Sequence, residues 1–291
     1  DLSAFWAAVP RLLKPRMGGQ QQQQQSHQLN PQLEAIFDKT TDKVETFGPR
    51  DLTTTALGFT KIVHALGETK GRHHRGSYAE LLHGLLADER GIFQSIGNTS
   101  RTAIAKFDAR CLANLAYAHG LVEYAPKLED GSALFDHIAD RSIPLLGKFS
   151  PQGLANTVWA FEKAGASHPL LFEKVADHVV GLKKLDDFKP QELSNILIAY
   201  AKAEVSHRPL FERVANHIVG LEQLDDFKPQ ALSNTLLSFA KAEVSHPVLL
   251  EKVANHIVGL KQLEDFTPQN LSNTVWAYAT TGNLQPPLFE K

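Results

Sequence analysis

At 291 residues, with 43% hydrophobic and 21% charged side chains, the chain can bury a substantial core and is not disordered as a whole. No apolar run approaches the roughly 20 residues needed to cross a bilayer, which argues against membrane insertion, and the single cysteine, Cys111, excludes an internal disulfide and suits a reducing compartment. A formal net charge of −2 excludes a global positive field drawing the chain to nucleic acid, so any such affinity must come from where the charges are placed.

From Leu2 to Leu33 there is no acidic residue, while Arg11, Lys14 and Arg16 are basic, and Gln20 to Gln25 form an unbroken glutamine tract. Such a tract has nothing apolar to bury, so residues 1–29 are expected to form a disordered tail. Its basic, acid-poor start fits the remnant of an organellar transit peptide and equally a solvated extension. A helix is expected from Asn30-Pro31 to about Lys43, with Asn as cap and Pro in the first turn.

Beyond this point the chain is periodic. Pro-Gln occurs at Pro151, Pro190, Pro229 and Pro268, each 39 residues after the last. Asn156, Asn195, Asn234 and Asn273 keep step, as do His178, His217 and His256. A period of this size marks a repeat array in which each unit covers the apolar face of its neighbour. The pairs Phe47/Leu52, Phe107/Leu112, Phe149/Leu154, Phe188/Leu193, Phe227/Leu232 and Phe266/Leu271 have the spacing of a hydrophobic staple, and five of these six units place Pro at the first helical position, Ala109 being the exception.

Each unit then reads as a helical hairpin. Helix A runs, for example, from Pro190 to Ala203 with Leu193, Leu197 and Tyr200 on its core stripe. Helix B starts near Pro209, buries Phe211, Val214, Ala215 and Ile218, and ends around Gly220. No stretch alternates as a half-buried strand does. The prediction is an all-α fold, an α-solenoid of about six tandem helical-hairpin repeats over residues 30–291, with units starting near 47, 107, 149, 188, 227 and 266. The first unit is longer, holding a basic loop, Lys70 to Gly76, and an extra turn near Thr102. The last unit stops at the start of its helix B, so more chain or another protein is expected to cover its apolar face.

On helix A, Gln191, Asn195, Ala199 and Lys202 fall on one face, and the pattern repeats as Gln152/Asn156/Ala160/Lys163, Gln230/Asn234/Ser238/Lys241 and Gln269/Asn273/Ala277/Thr280. Arg50 and Arg110 stand where the two earliest units would have Gln. Stacked units make ladders of amides, able to bond base edges, and of ammonium groups, able to meet phosphates. An Asn repeated at one position also often ties a loop to a neighbouring helix, and that is the expected role of the Asn ladder. The Lys ladder has little packing duty and is expected to serve binding. A stripe that varies between repeats, Gly153/Thr157, Glu192/Ile196, Ala231/Thr235 and Asn270/Thr274, is the candidate for a per-repeat base code. Trp159 and Trp276 are expected to pack between helices.

From Phe149 to Asp265 there are 12 basic and 15 acidic residues, the acids clustering at Asp186-Asp187, Asp225-Asp226 and Glu264-Asp265, on an edge expected to lie away from the Lys ladder. The histidines show no ligand spacing for a metal. His168, His207 and His246 stand where they can cap helix B, and His73-His74 has no third ligand nearby. No phosphate loop or paired nucleophile and base appears. No catalytic residue, cofactor or metal site is expected, and the chain is read as non-enzymatic.

The segments FSPQGLANTVWAF from Phe149 and FTPQNLSNTVWAYA from Phe266 resemble the octotricopeptide repeat family, closely over residues 149–291 and more loosely over 47–148. Related repeats accompany FAST-kinase-like and RAP-domain proteins, although no RAP domain is recognisable here. The resemblance implies a protein of the chloroplast or mitochondrion that binds single-stranded RNA and governs transcript stability, processing or translation. The RNA-binding residues implied are Arg50, Arg110, Gln152, Asn156, Lys163, Gln191, Asn195, Lys202, Gln230, Asn234, Lys241, Gln269 and Asn273, lining a concave helix-A surface. The alternative is a scaffold within a larger organellar assembly such as a ribosome, contacting protein or rRNA. Two departures are a 39-residue unit, slightly longer than the family name implies, and Thr54 in place of the first unit's Asn.

Overall fold

The computed structural model describes residues 2–12, 31–67, 91–283 and 285–290. The glutamine tract and the basic loop of the first unit lie outside the described residues. Within these residues are fourteen α-helices, and the only β pairing is one isolated antiparallel bridge between Lys127 and Ala133. We number them α1 (Leu2–Leu12), α2 (Pro31–Lys43), α3 (Pro49–Gly67), α4 (Ile92–Ala103), α5 (Ala109–Leu121), α6 (Leu134–Ser142), α7 (Pro151–Lys163), α8 (Pro169–Gly181), α9 (Pro190–Lys202), α10 (Arg208–Gly220), α11 (Pro229–Lys241), α12 (Pro247–Gly259), α13 (Pro268–Thr281) and α14 (Pro286–Phe289). From α3 onward, odd numbers are A helices and even numbers B helices. The fold is an all-α solenoid. It divides into two compact units, Asp1–Ser142 with Lys163–Ala166, and Ile143–Glu162 with Ser167–Lys291.

In the second unit like packs on like, α9 to α11 to α13 in the A layer and α8 to α10 to α12 in the B layer. Local sequence explains each hairpin. The staple Phe188 and its partner Leu193 are both buried, and Pro190 opens α9 where its missing N–H costs nothing. Ser150, Thr267 and Asp108 cap α7, α13 and α5 through their side-chain oxygens. The imidazole Nδ1 atoms of His168, His207 and His246 do the same for α8, α10 and α12, accepting from the backbone N–H of Leu171, Leu210 and Leu249 at 3.1, 3.2 and 3.2 Å. The expected capping role of these histidines is therefore seen in all three repeats.

Three further devices tie neighbouring repeats together. Tyr200 and Tyr278 donate their hydroxyls to the carbonyls of Phe172 and Leu250, 2.5 and 2.8 Å away, and burial pushes both phenol pKa values well up. Arg213 bonds the carbonyls of Leu182 and Lys183, and Lys252 those of Val219 and Leu221, so a cation in α10 and another in α12 each satisfy the open C-terminal end of the B helix before. His217 and His256 approach Asp186 and Asp225 at 3.8 and 4.0 Å, joining the last turn of a B helix to the previous linker. These last contacts use one acid of each of the first two linker pairs.

The first unit corrects one expectation. Residues 2–12 are not a disordered tail but a helix, α1, packed on α3. Trp6 is buried against Phe59 and Phe37, with ring centroids 4.4 and 6.4 Å away, and its Nε1–H donates to Thr40 Oγ1 at 2.7 Å. Composition misled because the apolar residues of this short helix, diluted by the glutamines behind it, have a specific seat. Gly58 makes the seat possible, since a Cβ there would lie 2.6 Å from the Trp6 carbonyl oxygen. The helix expected at residues 31–43 is α2, and the extra turn near Thr102 is the 3₁₀ segment Ile104–Lys106.

Candidate nucleic-acid interface

Each A helix of the second unit carries its ladder residues at fixed places. Gln152, Gln191, Gln230 and Gln269 are exposed in the first turn, and Asn156, Asn195, Asn234 and Asn273 are partly exposed one turn on. None of these eight side-chain amides makes a hydrogen bond among the described residues. The Asn ladder thus does not tie loops to helices, and that expectation is corrected. The amides stand open to a ligand, each with donor and acceptor capacity unused.

The face is narrower than the spacing suggested. Ala160, Ala199, Ser238 and Ala277 are buried, because eight residues along a helix turn the side chain about 80° away from the starting position. Gln, Asn and Lys remain within about 40° of one another. The variable stripe is also buried, with Gly153, Thr157, Ile196, Ala231, Thr235, Asn270 and Thr274 all packed and only Glu192 partly exposed. Thr157, Thr235 and Thr274 turn their hydroxyls back to carbonyls of their own helices, and Asn270 donates to Ser233 Oγ on α11. Its variation records repeat-to-repeat packing and not a base code.

Lys202 and Lys241 are exposed at the ends of α9 and α11 and form no ion pair among the described residues. Lys163, which clusters with the first unit, pairs there with Glu123 Oε1 at 3.2 Å. Arg50 and Arg110 are exposed in the first turns of α3 and α5. The linker acids sit before the N-terminus of each A helix and the lysines at its far end, about 18 Å apart over a 13-residue helix. That much of the expected segregation holds. It is incomplete, because Glu123, Glu204 and Glu243 stand beside the lysine positions.

These glutamates went unnoticed in the sequence. They adopt φ of 53°, 55° and 53°, the left-handed conformation that closes α5, α9 and α11, and the next residue's N–H reaches back to His119, Tyr200 and Phe239. This is the Schellman arrangement, usually completed by Gly. Gly165 and Gly282 fill the same place after α7 and α13, and that alternation was the readable signal. A non-glycine residue there costs about 1–2 kcal/mol.

Of the two tryptophans expected to pack between helices, Trp276 is 44% exposed, and Lys241 Nζ lies over its ring, 5.9 Å from the centroid. Trp159, at the same register of α7, is partly exposed. Among the described residues no three His, Cys, Asp or Glu side chains gather as a metal site.

Residues 130–284, more than half of the chain, match the family model for the RNA-editing substrate-binding complex 6 protein. The chain belongs to that family. No curated protein matches it. The matched residues run from just before α6 to just past α13 and contain the whole Gln, Asn and Lys ladder, whereas Arg50 and Arg110 fall outside. Membership of the RNA-editing substrate-binding complex 6 family agrees with a helical-repeat protein that associates with RNA and with a protein complex.

Proposed function

We propose that this chain is a non-enzymatic component of an RNA-handling complex and binds single-stranded RNA along the face shared by its A helices. The observation that carries the reading is the row of eight unpaired amides on α7, α9, α11 and α13, with lysines at the ends of the first three. Open Gln and Asn amides suit the edges of unstacked bases, and lysines one repeat apart suit a phosphate backbone. Arg50 and Arg110 extend the same chemistry to the first unit's A helices. The family supports a role in RNA editing, and of the two organelles that the motif suggested, the mitochondrion is the compatible one. Kinship with octotricopeptide proteins, and control of transcript stability, processing or translation, rest on the motif alone.

A uniform ladder cannot distinguish one base from another, and the variable stripe is buried. The RNA bound is therefore expected to be chosen by single-strandedness and by partners in the complex more than by a code in this chain. The competing reading is a scaffold that contacts proteins only. The ion pair of Lys163 with Glu123, which ties up one ladder cation, favours it.

Changing Lys163, Lys202 and Lys241 to Glu separates the two. Binding of a fluorescent 20-nucleotide single-stranded RNA, followed by anisotropy, is expected to be lost while helicity is unchanged. In the parent protein, three phosphate contacts predict a log–log salt slope of about −2, or about twentyfold weaker binding between about 50 and 200 mM salt. Unchanged affinity in the triple variant overturns the RNA reading and leaves the scaffold.

A further inference from the structure

We infer that Glu123, Glu204 and Glu243 are the residues that make this face choose unpaired RNA, by offsetting the ladder lysines so that a phosphate backbone alone is not held. The inference rests on the RNA-binding reading and assigns its selectivity to particular side chains.

The backbone points to these glutamates first. They close α5, α9 and α11 at φ of 53°, 55° and 53°, a conformation that glycine adopts freely and other residues avoid. Gly165 and Gly282 close α7 and α13 in the left-handed region too, so the array accepts glycine at this place. The turns are closed by backbone N–H groups, and the carboxylates are not needed to end the helices. A glutamate held there three times against local preference is an outlier of the kind that accompanies function.

Their register decides what the carboxylates do. Glu123 stands two residues past the end of α5 and meets Lys163, the last residue of α7, at 3.2 Å. Glu204 stands two residues past the end of α9, and Lys241 is the last residue of α11, which packs on α9. Glu243 follows α11 in the same way, and all three glutamates are exposed. Three carboxylates thus offset the three ladder lysines at the same ends of the A helices.

The consequence is a demand for exposed bases. An exposed ion pair such as Lys163–Glu123 is weak and opens to a phosphate, but the displaced carboxylate then repels that phosphate. Backbone contacts therefore contribute little unless something else holds the RNA on the face. The open amides do so by bonding base edges, and only an unpaired strand offers those edges freely. In an A-form duplex the bases are paired and the major groove is too deep and narrow for side chains to read. A duplex meets this face with its phosphates and gains nothing to offset the repulsion. Without the glutamates, the lysines would hold either form of RNA by charge.

Glutamine at these positions keeps the side-chain length and removes the charge. Affinities of the full parent chain and of the triple variant Glu123→Gln, Glu204→Gln, Glu243→Gln can be read by anisotropy, at about 50 mM salt, for a single-stranded RNA of about 20 nucleotides and for the duplex of the same sequence. The parent is expected to prefer the single strand. In the variant, duplex binding should strengthen about tenfold and single-strand binding only about twofold, each with a steeper salt dependence. Glu204→Gln and Glu243→Gln taken singly should move the ratio in the same direction, and they decide the matter if the triple variant does not fold. A preference for the single strand that the variants leave unchanged, or no preference in the parent, overturns this role of the glutamates and leaves RNA binding by the ladder standing. No binding of either RNA by parent or variant overturns the RNA-binding reading itself.

Discussion

Replacing Gly58 by leucine is expected to lift α1 off α3. A Cβ at this position would stand 2.6 Å from the Trp6 carbonyl oxygen and 2.7 Å from its carbon, both backbone atoms that cannot step aside. The whole helix must move instead. Its removal exposes Trp6 and Phe59, now buried to within 1% of full burial, and breaks the bonds from Trp6 to Thr40 and from Ser3 to Asp51. Loss of a buried aromatic of this size costs about 3–5 kcal/mol. In a protein that keeps only Trp6 as its tryptophan, the emission should shift to the red and residues 2–12 should become open to limited proteolysis. Gly58→Ala should act in the same direction. Unchanged emission in Gly58→Leu would mean that α1 has no fixed seat on α3.

Acidification should destabilise the first unit through His119. Its ring is fully buried between Phe93 and Phe135, with centroids 5.3 and 6.4 Å away, and Nδ1–H donates to the Leu115 carbonyl at 3.0 Å. Burial pushes the imidazole pKa down, only partly offset by the carbonyls of Leu115 and Phe93. The neutral form is thus the folded form. The unfolded chain, titrating near its ordinary value of about 6.5, binds the extra proton first. Stability from this residue is present above about pH 6.5, falls by up to about 1.4 kcal/mol per pH unit below it, and stops falling once the pH passes the lowered folded value. Chemical unfolding between pH 7.5 and 5.5, in conditions chosen about these values, should show the slope in the parent and lose most of it in His119→Leu. A residual slope is expected from His217, whose pKa is also lowered by burial but opposed by Asp186. An equal slope in His119→Leu would contradict the account.

The fold was legible because its signals are local and repeated. Proline at the first helical position, the stapling Phe and Leu, and a fixed interval locate every A helix without tertiary information, and α9 ends within one residue of its expected place. Much of what binds repeats together was not legible. Arg213 and Lys252 look like ordinary exposed charges until the carbonyls of the preceding B helix are placed beside them. His119 gives no motif, and its burial follows from two phenylalanines contributed by other helices.

The candidate site was legible in part for a similar reason. Helical spacing put Gln, Asn and Lys together, and the structure keeps them together at the surface. The same spacing could not say which flank of that face the next helix covers. It therefore offered the variable stripe as a code, although that stripe is buried. The left-handed glutamates escaped because Glu is not the residue that this backbone conformation favours. Their carboxylates set the limit on the lysine edge, where attraction for phosphate is tempered by negative charge of the same periodicity.

The central claim is that RNA lies on the A-helix face, and ultraviolet crosslinking of the full chain to single-stranded RNA, with the modified peptides read by mass spectrometry, tests it most directly. The account predicts nucleotide adducts within residues 152–163, 191–202, 230–241 and 269–280. Adducts confined to the B helices α8, α10 and α12, or none above background at concentrations that saturate binding, would contradict it.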